Sequence, residues 1–288
     1  MRNFILLLIF SWATTQANTR HFAMPMETSK WEVSTSHLVC QLTHRIPDYG
    51  FATVTQESAE RPHFVMTYYQ GISNSPSAKL ITLPPEWRKP DYGQILAKLK
   101  LKPGHHPIYL KDRLTRHILD HLLAGDLIRF SYQSDLSHGV RVDLLPVNFH
   151  KAYAKYIACV GDLIDFGYRH VAKSTFYFEK NNYELNAKYK HQLDRVRRYV
   201  KEDPTIKKVF IAGYTDSRGR HSYNNAVSQK RAEVVKKYLL EHGVPAEKLK
   251  TTWYGSSKVD ANKKKKENLA QNRRVEVLLL KDEIKFIK

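Results

Sequence analysis

The segment from residue 207 to residue 240 constrains the fold of this chain more than any other. Residues 209–211 read as a buried strand, and residues 215–219 form a polar turn of Thr, Asp, Ser, Arg and Gly. Apolar residues at helical spacing begin near Ser222. The turn is therefore expected to lie against a helix N-terminus, whose free N–H groups and partial positive charge receive anions.

Four polar side chains of this segment can face one ligand. Asp216 lies in the turn. Asn224, Ser228 and Arg231 follow at helical positions i, i+4 and i+7, on one face that tilts back toward the turn. A guanidinium takes a carboxylate in a bidentate fork and an aspartate takes an ammonium, so the set suits a zwitterion. The competing interpretation is that Asp216 is an Asx-turn residue and Arg231 a solvated helix arginine.

The same residues carry a family resemblance. The positions that carry it are Thr215-Asp216, Gly219, Asn224, Ser228, Arg231-Ala232 and, later, Asn272-Arg273-Arg274-Val275. Over about residues 173–280 this pattern resembles the OmpA-like peptidoglycan-binding domain. The resemblance implies that Asp216 and Arg231 grip the diaminopimelate of a peptidoglycan stem peptide. It also implies that Thr215, Asn224, Ser228, Asn272 and Arg273 belong to the peptidoglycan-binding site.

Two positions depart from that family pattern. Tyr214 stands where a His is usual, and Val227 stands where a Leu is usual. The first departure bears on loop packing or on ligand contacts. The second reads as a substitution within the core.

The first 17 residues have the pattern of a secretory signal. Arg2 precedes an apolar core at residues 4–10, and small residues lead to a cleavage site near Ala17. The apolar run is shorter than the roughly 20 residues of a spanning helix. No Cys follows it, so no lipid anchor is expected. The sequence predicts an exported chain that is not an integral membrane protein.

The formal net charge of +19 would ordinarily suggest nucleic acid as a partner. Export argues against nucleic acid and favours a cell wall bearing carboxylates, an anionic lipid or an acidic protein surface. Residues 263–266 are a run of four lysines. This run reads either as a solvated loop or as a nonspecific attraction to wall carboxylates.

After the signal at residues 1–17, the length suits two domains, residues 18–165 and residues 166–288. The first shows strand-like runs between residues 33 and 46 and at 51–54, 64–69, 80–83, 127–132 and 139–145. It also shows a helix from Asp112 to Gly125 and a last helix that Asn148 can cap, which runs through Tyr153, Ile157 and Val160 and carries Cys159. The second shows a strand near 174–178, a helix from Asn186, a strand at Val209, a helix near 222–242 and strands at 251–254 and 275–280. The predicted class is α+β, with an antiparallel β-rich N-terminal domain and a C-terminal OmpA-like β-α-β-α-β-β sandwich.

Cys40 and Cys159 are the two cysteines of the chain. An even number of cysteines in an exported protein favours a disulfide, and two buried free thiols are the alternative. The 14 histidines are scattered, with His105-His106 the only adjacent pair, so no metal site is expected.

The N-terminal half carries a second resemblance. Trp31-Glu32-Val33, Cys40-Gln41-Leu42 and the run 46–50 (Ile-Pro-Asp-Tyr-Gly), followed by an OmpA-like domain, resemble the MotY family of the sodium-driven polar flagellar motor. The resemblance implies a periplasmic protein whose N-terminal domain attaches to the flagellar basal body and forms the T ring with MotX. The C-terminal domain would hold peptidoglycan, and PomA/PomB stator complexes would gather around the ring.

No enzyme signature accompanies these features. The sequence lacks a Gly-x-Ser-x-Gly elbow, a His-Glu-x-x-His motif and a phosphate loop, and no second carboxylate partners Asp216. A non-enzymatic protein without a cofactor is therefore expected, and a wall hydrolase is a minor alternative. The main alternative is a general wall-anchoring envelope protein that has no role in the motor.

Overall fold

A computed structural model describes residues 19–85, 87–88, 93–134, 138–257 and 269–281. The expected signal at residues 1–17 and the lysine run at 263–266 lie outside the described residues. The chain forms two compact units. The first contains the described residues of 19–34, 41–56 and 61–158, and the second contains those of 35–40, 57–60 and 159–281.

Fourteen strands and six α-helices are assigned within the described residues. The strands are β1 (Thr19–Phe22), β2 (Trp31–Thr35), β3 (Val39–Ile46), β4 (Gly50–Glu57), β5 (His63–Tyr68), β6 (Ser77–Leu83), β7 (Gln94–Lys100), β8 (Ile108–Lys111), β9 (Leu127–Gln133), β10 (Gly139–Leu144), β11 (Lys173–Tyr177), β12 (Ile206–Gly213), β13 (Leu249–Trp253) and β14 (Arg274–Lys281). The helices are α1 (Asp112–Leu123), α2 (Phe149–Gly161), α3 (Tyr168–Val171), α4 (Ala187–Glu202), α5 (His221–Glu241) and α6 (Leu269–Asn272).

The first ten strands form two five-stranded sheets, with the orders β1-β10-β9-β6-β7 and β2-β3-β4-β5-β8. Aromatic residues join the sheets. The rings of Phe64 and Phe130 stack at 5.6 Å, and the hydroxyls of Tyr49 and Tyr132 lie 3.2 Å apart. The predicted β-rich domain is confirmed. One pairing differs from the antiparallel expectation, because β1 runs parallel to β10.

Every second residue of β3 lies on the inner face of its sheet. Cys40, Leu42, His44 and Ile46 alternate along the strand and are all fully buried. His44 is the polar member of this row. Its Nδ1 lies 3.0 Å from the carbonyl oxygen of Lys30, and its ring stacks on Trp31 at 4.6 Å. Burial lowers the pKa of His44, and the contact with the Lys30 carbonyl opposes that shift.

The sequence predicts two helices in the N-terminal half. The second is confirmed as α2, which carries Cys159, and the first is confirmed as α1. It starts at Asp112, and Arg116 donates to the Asp112 carboxylate at 2.6 Å within the first turn. Gly125, just beyond the helix, has a φ of 86°, a conformation that glycine adopts at low cost. Ile118 and Leu122 are fully buried on its inner face.

The second unit contains one four-stranded sheet with the order β11-β14-β12-β13. Its core combines residues of the sheet, such as Val209 and Val277, with residues of the helices, such as Val196 of α4 and Val235 of α5. Asn186 caps α4 as expected, because its side chain accepts from the Tyr189 N–H at 2.9 Å. The β-α-β-α-β-β order predicted from the sequence is confirmed.

Cys40 and Cys159 form a disulfide with a Cα–Cα distance of 6.0 Å, which confirms the predicted pairing. The two residues lie 119 positions apart in sequence, and both belong to the second unit. Among the described residues, no helix is long and apolar enough to cross a membrane. The same residues contain no cluster of three or more His, Cys, Asp or Glu side chains suited to a metal ion.

We predict that His44 makes the protein less stable in mild acid. Because burial lowers its pKa in the folded state, the unfolded chain binds the extra proton more readily. The contribution of His44 to stability is complete above the ordinary pKa of 6.5 and is lost progressively as the pH falls below it. The free energy of unfolding of the His44→Phe variant, measured by urea denaturation, should depend less on pH in this range than that of the wild type.

The control for this measurement is His117→Gln, which changes an exposed histidine on α1. It should keep the wild-type dependence on pH. Equal pH dependence for His44→Phe and the wild type would show that the buried imidazole does not contribute.

Candidate functional site

The end of β12 and helix α5 approach each other closely, and this contact places the predicted site. A Cβ atom on Gly213 would lie 2.2 Å from the carbonyl oxygen of Ser228, so only glycine fits there. Tyr254 donates its N–H to the Gly213 carbonyl at 3.0 Å and continues the pairing with the neighbouring segment. The turn after β12 is therefore held directly above the first turns of α5.

Asp216 shapes this turn. Its Oδ1 accepts the backbone N–H of Arg218 at 3.1 Å, which is the Asx-turn arrangement. Gly219 follows with a φ of 93°, and α5 begins at His221. Arg220, at the N-cap position, makes no side-chain cap hydrogen bond. The first N–H groups of α5 are thus left without a side-chain cap beside the turn.

A cleft of about 300 Å³ opens at this point in the second unit. It is lined by Lys180, Asn181, Thr215, Asp216, Arg218, Gly219, Tyr223, Asn224, Val227, Arg231 and Arg273. Five of the seven predicted site residues lie in this lining: Thr215, Asp216, Asn224, Arg231 and Arg273. Ser228 and Asn272 are fully buried and do not belong to the lining.

Arg231 is a buried residue rather than a solvated helix arginine, because only 1% of it is exposed. Its Nε donates to the carbonyl oxygen of Asn182 at 3.1 Å, and its Nη2 donates to that of Glu179 at 2.9 Å. The guanidinium lies 5.4 Å from the ring centre of Phe178. Its Nη1 is buried without a partner among the described residues. The side chain therefore fixes the segment after β11.

Asp216 forms an ion pair with Arg273 rather than with Arg231. Its Oδ2 lies 3.2 Å from Nη1 of Arg273, and both side chains are less than one-fifth exposed. Nε of Arg273 donates to the Phe178 carbonyl at 3.0 Å. The Asx-turn interpretation of Asp216 is therefore confirmed. Its contact with a ligand ammonium stays a prediction, because its second oxygen meets Arg273 of the same chain.

The electrostatics of the cleft favour an anionic group. Burial lowers the pKa of Arg231, and the nearby positive charge of Arg273 lowers it further. Asp216 acts in the opposite direction. With Lys180 and Arg218 also in the lining, cations outnumber the single carboxylate of Asp216. A ligand carboxylate would offset this excess, while Asp216 offers a place for an ammonium.

Ser228 makes hydrogen bonds within the fold that its helical spacing did not predict. Its Oγ donates to the Asn225 carbonyl at 2.9 Å and accepts from the Gly255 N–H at 3.1 Å. The hydroxyl thus joins α5 to the segment after β13. Asn224, by contrast, lines the cleft, and its Nδ2 lies 3.4 Å from the hydroxyl of Ser256.

The two departures from the family pattern have separate outcomes. Tyr214 stacks on Tyr254 at 5.4 Å, and the guanidinium of Arg274 lies 4.1 Å from the centre of its ring. Tyr214 does not line the cleft, so its substitution affects packing behind the turn. Val227 is 6% exposed and borders the cleft.

Sequence reasoning missed the segment of residues 179–183. It supplies two carbonyl groups to Arg231, and Asn181 accepts from the Tyr223 hydroxyl at 2.9 Å. Its only sequence signal is its place between a strand and the Asn186 cap. The backbone carbonyls that bind Arg231 carry no residue-type signature, so spacing alone could not identify them.

Comparisons with known proteins match two successive parts of the chain to two different families. Residues 22–164 match the MotY N-terminal domain, and residues 177–273 match the OmpA family. The sodium-type flagellar protein MotY of Vibrio parahaemolyticus is 27% identical over 265 residues, which is 90% of each chain. The chain belongs to the MotY family.

Relatives of the C-terminal half alone are also found. The peptidoglycan-associated lipoprotein of Buchnera aphidicola is 40% identical to this MotY-family chain over 101 residues, which are 35% of this chain and 58% of that protein. The crystal structure of the peptidoglycan-associated lipoprotein from Burkholderia pseudomallei aligns with 38% of this chain and 93% of that chain, with 32% identity and a TM-score of 0.36.

We predict that Ser228 of this MotY-family chain stabilises the fold. Ser228→Ala removes one hydroxyl that makes two hydrogen bonds and leaves the buried N–H of Gly255 without its acceptor. The free energy of unfolding should fall by about 1–3 kcal/mol. Urea denaturation measures the loss, and binding of the folded variant to peptidoglycan should remain within about twofold of the wild type, since Ser228 does not line the cleft.

Unchanged stability together with weaker binding would contradict this assignment. It would place the hydroxyl in contact with ligand, as its helical spacing first suggested.

Proposed function

We propose that this chain is a component of the sodium-driven flagellar motor that anchors the basal body and stator to peptidoglycan. The observation that carries the proposal is the joining of a MotY N-terminal domain to an OmpA domain in one chain. A general wall-anchoring envelope protein would need only the second of these. Torque generation and motility would depend on the anchor.

The cleft at the start of α5 is the proposed peptidoglycan-binding site. A diaminopimelate residue carries a carboxylate and an ammonium on one carbon. The carboxylate would accept from Nη1 of Arg231 and from the uncapped N–H groups at the start of α5. The ammonium would lie against Asp216, which has a cationic partner in Arg273. In this arrangement the ligand carboxylate would meet the excess of positive charge, and the ligand ammonium would meet the single carboxylate of the cleft.

The other predicted site residues divide into two roles in this proposal. Thr215 and Asn224 line the cleft and offer polar groups to the stem peptide. Arg273 orients Asp216. Ser228 and Asn272 lie outside the lining and would support the site by packing.

Binding, rather than catalysis, is the chemistry that this cleft supports. Glycan hydrolysis by the common mechanisms uses two carboxyl groups that flank the bond to be cut. The described lining contains one carboxylate, Asp216, and that group is committed to a turn and an ion pair. The family is a structural one, and we propose that this chain is not an enzyme.

The proposed location is the periplasm, at the flagellar basal body. A signal at residues 1–17 would export the chain. Residues 18–165 would bind the basal body and MotX in the T ring, and residues 166–288 would hold the wall. PomA/PomB stator complexes would then assemble around an anchored ring.

We predict that Asp216→Asn weakens binding to peptidoglycan. Asparagine can still accept the Arg218 N–H and preserve the turn, but it removes the charge that would face the ligand ammonium. Loss of a hydrogen bond to a charged group should cost about 1.5–3 kcal/mol, or about 10- to 100-fold in affinity. Sedimentation of the full chain with purified sacculi measures the affinity.

The matched control is Glu233→Gln, which removes one exposed carboxylate from α5 with the same change in net charge. It should bind sacculi as the wild type does. Circular dichroism checks that each variant is folded. If Asp216→Asn and Glu233→Gln bind equally well, the cleft is not the wall-binding site and bulk charge accounts for the binding.

The motor assignment makes a separate prediction about partners. The full chain should capture purified MotX, and Asp216→Asn should capture it equally well, because MotX binding is assigned to residues 18–165. Co-purification measures this. Wall binding without any capture of MotX or basal bodies would favour the general anchoring protein.

A further inference from the structure

A row of basic side chains crosses the outer face of the β1-β10-β9-β6-β7 sheet, in the first unit. Cross-strand registers align Arg141 of β10 with Ser131 of β9, Ser131 with Lys79 of β6, and Lys79 with Lys98 of β7. Residues in such register point to the same face and lie next to one another. The three basic side chains are exposed, and Lys100 lies two residues beyond Lys98 on the same face.

No acidic side chain in these five strands is available to balance the row. Their one acid is Asp143 of β10, and only 2% of it is exposed. Its carboxylate receives Nε and Nη2 of Arg129, each at 2.7 Å, and Nε2 of His21 at 2.7 Å. Within the described part of the chain, Lys79, Lys98 and Arg141 take part in no ion pair. Their charges are therefore open to an external partner.

The row borders a groove of about 530 Å³ that also contains neutral polar groups. Its lining includes Thr19, Lys79, Lys98, Ser131, Gln133 and Arg141. Hydroxyl and amide groups beside the cations can bind backbone and side-chain oxygens. The groove lining contains no large exposed apolar residue, which a surface that inserts into lipid would need. Its concave shape and polar lining favour a narrow ligand over a flat membrane.

The spacing of the row fits an extended polypeptide. Arg141 and Lys98 are separated by three strand intervals of about 4.8 Å, or about 14 Å in total. In an extended chain, residues i and i+4 are also about 14 Å apart, and i, i+2 and i+4 share one face. Carboxylates at i and i+4 would thus meet the two ends of the row, and the carboxylate at i+2 would lie between Ser131 and Lys79.

We propose that this face of the first unit, defined by Lys79, Lys98 and Arg141, binds an extended acidic segment of a partner protein that carries Asp or Glu at alternate positions. A second copy of this chain is a poor candidate, because the chain carries 47 basic and 28 acidic residues. The proposal concerns a surface separate from the peptidoglycan cleft. It therefore stands or falls independently of the wall-binding assignment.

The test measures binding of the full chain to a fluorescent peptide, Ser-Glu-Ser-Glu-Ser-Glu-Ser, by fluorescence anisotropy at low salt. The peptide with Gln in place of Glu should not bind. The triple variant Lys79→Ser, Lys98→Ser, Arg141→Ser should lose at least about tenfold in affinity, because three ion contacts are removed. Binding by the wild type should weaken as salt is added.

The matched control is the triple variant Lys188→Ser, Lys190→Ser, Lys201→Ser, which removes three exposed charges from α4. It should keep the wild-type affinity within about twofold. Equal losses in the two triple variants would overturn the proposal and assign the binding to net charge. All six positions are exposed, and circular dichroism checks the fold of each variant.

Two further probes separate an acidic protein segment from other anions. Vesicles of phosphatidylglycerol and purified sacculi are each offered to the wild type and to the Lys79, Lys98, Arg141 variant. The proposal requires that the Lys79, Lys98, Arg141 variant lose its affinity for the peptide while it keeps its affinity for sacculi. If the peptide fails to bind and the variant instead loses vesicles or sacculi, the face serves lipid or wall and the proposal is wrong.

Discussion

The guanidinium of Arg231 is the contact on which the candidate site depends. It is almost wholly buried, yet it donates to carbonyls of Glu179 and Asn182, in the segment that follows β11. A buried cation is stable only when hydrogen bonds or nearby negative charge replace the water it has lost. Backbone carbonyls supply part of that compensation here, and Nη1 has no partner among the described residues. The same side chain therefore builds one wall of the cleft and adds a positive charge to its lining.

Asp216 and Arg273 complete this arrangement through hydrogen bonds to the turn, to each other and to the segment after β11. One oxygen of Asp216 holds the turn, and the other meets Arg273, which in turn binds the Phe178 carbonyl. The charged groups are thus fixed before any ligand arrives, which lowers the ordering cost of binding. Gly213 makes this possible, because it allows the strand to approach α5 closely enough for turn and helix to share one cleft.

Much of this organisation follows from the sequence. Helical spacing and the polar turn indicated that Asp216, Asn224 and Arg231 share one cleft, and the structure brings them together there. Their contact with a ligand stays a prediction. Asn186, Asp112 and Gly125 marked helix limits through local chemistry. Ser228 lies outside the cleft lining, because spacing defines a face but not its depth. Strand β7 was missed because residues 94–100 are rich in Leu and Lys, which favour a helix, and their strand depends on pairing with β6. The sequence could not identify the carbonyl partners of Arg231, because every residue has a backbone carbonyl group.

The composition of the second unit has a consequence for protein engineering. Residues 35–40 and 57–60 belong to it, and its disulfide joins Cys40 to Cys159. A fragment cut at the sequence boundary and starting near residue 166 would lack both cysteines and two of the segments of its own unit. Truncation at that boundary therefore does not isolate the second unit intact, and point substitutions in the full-length protein are the sounder way to assign roles to its two units.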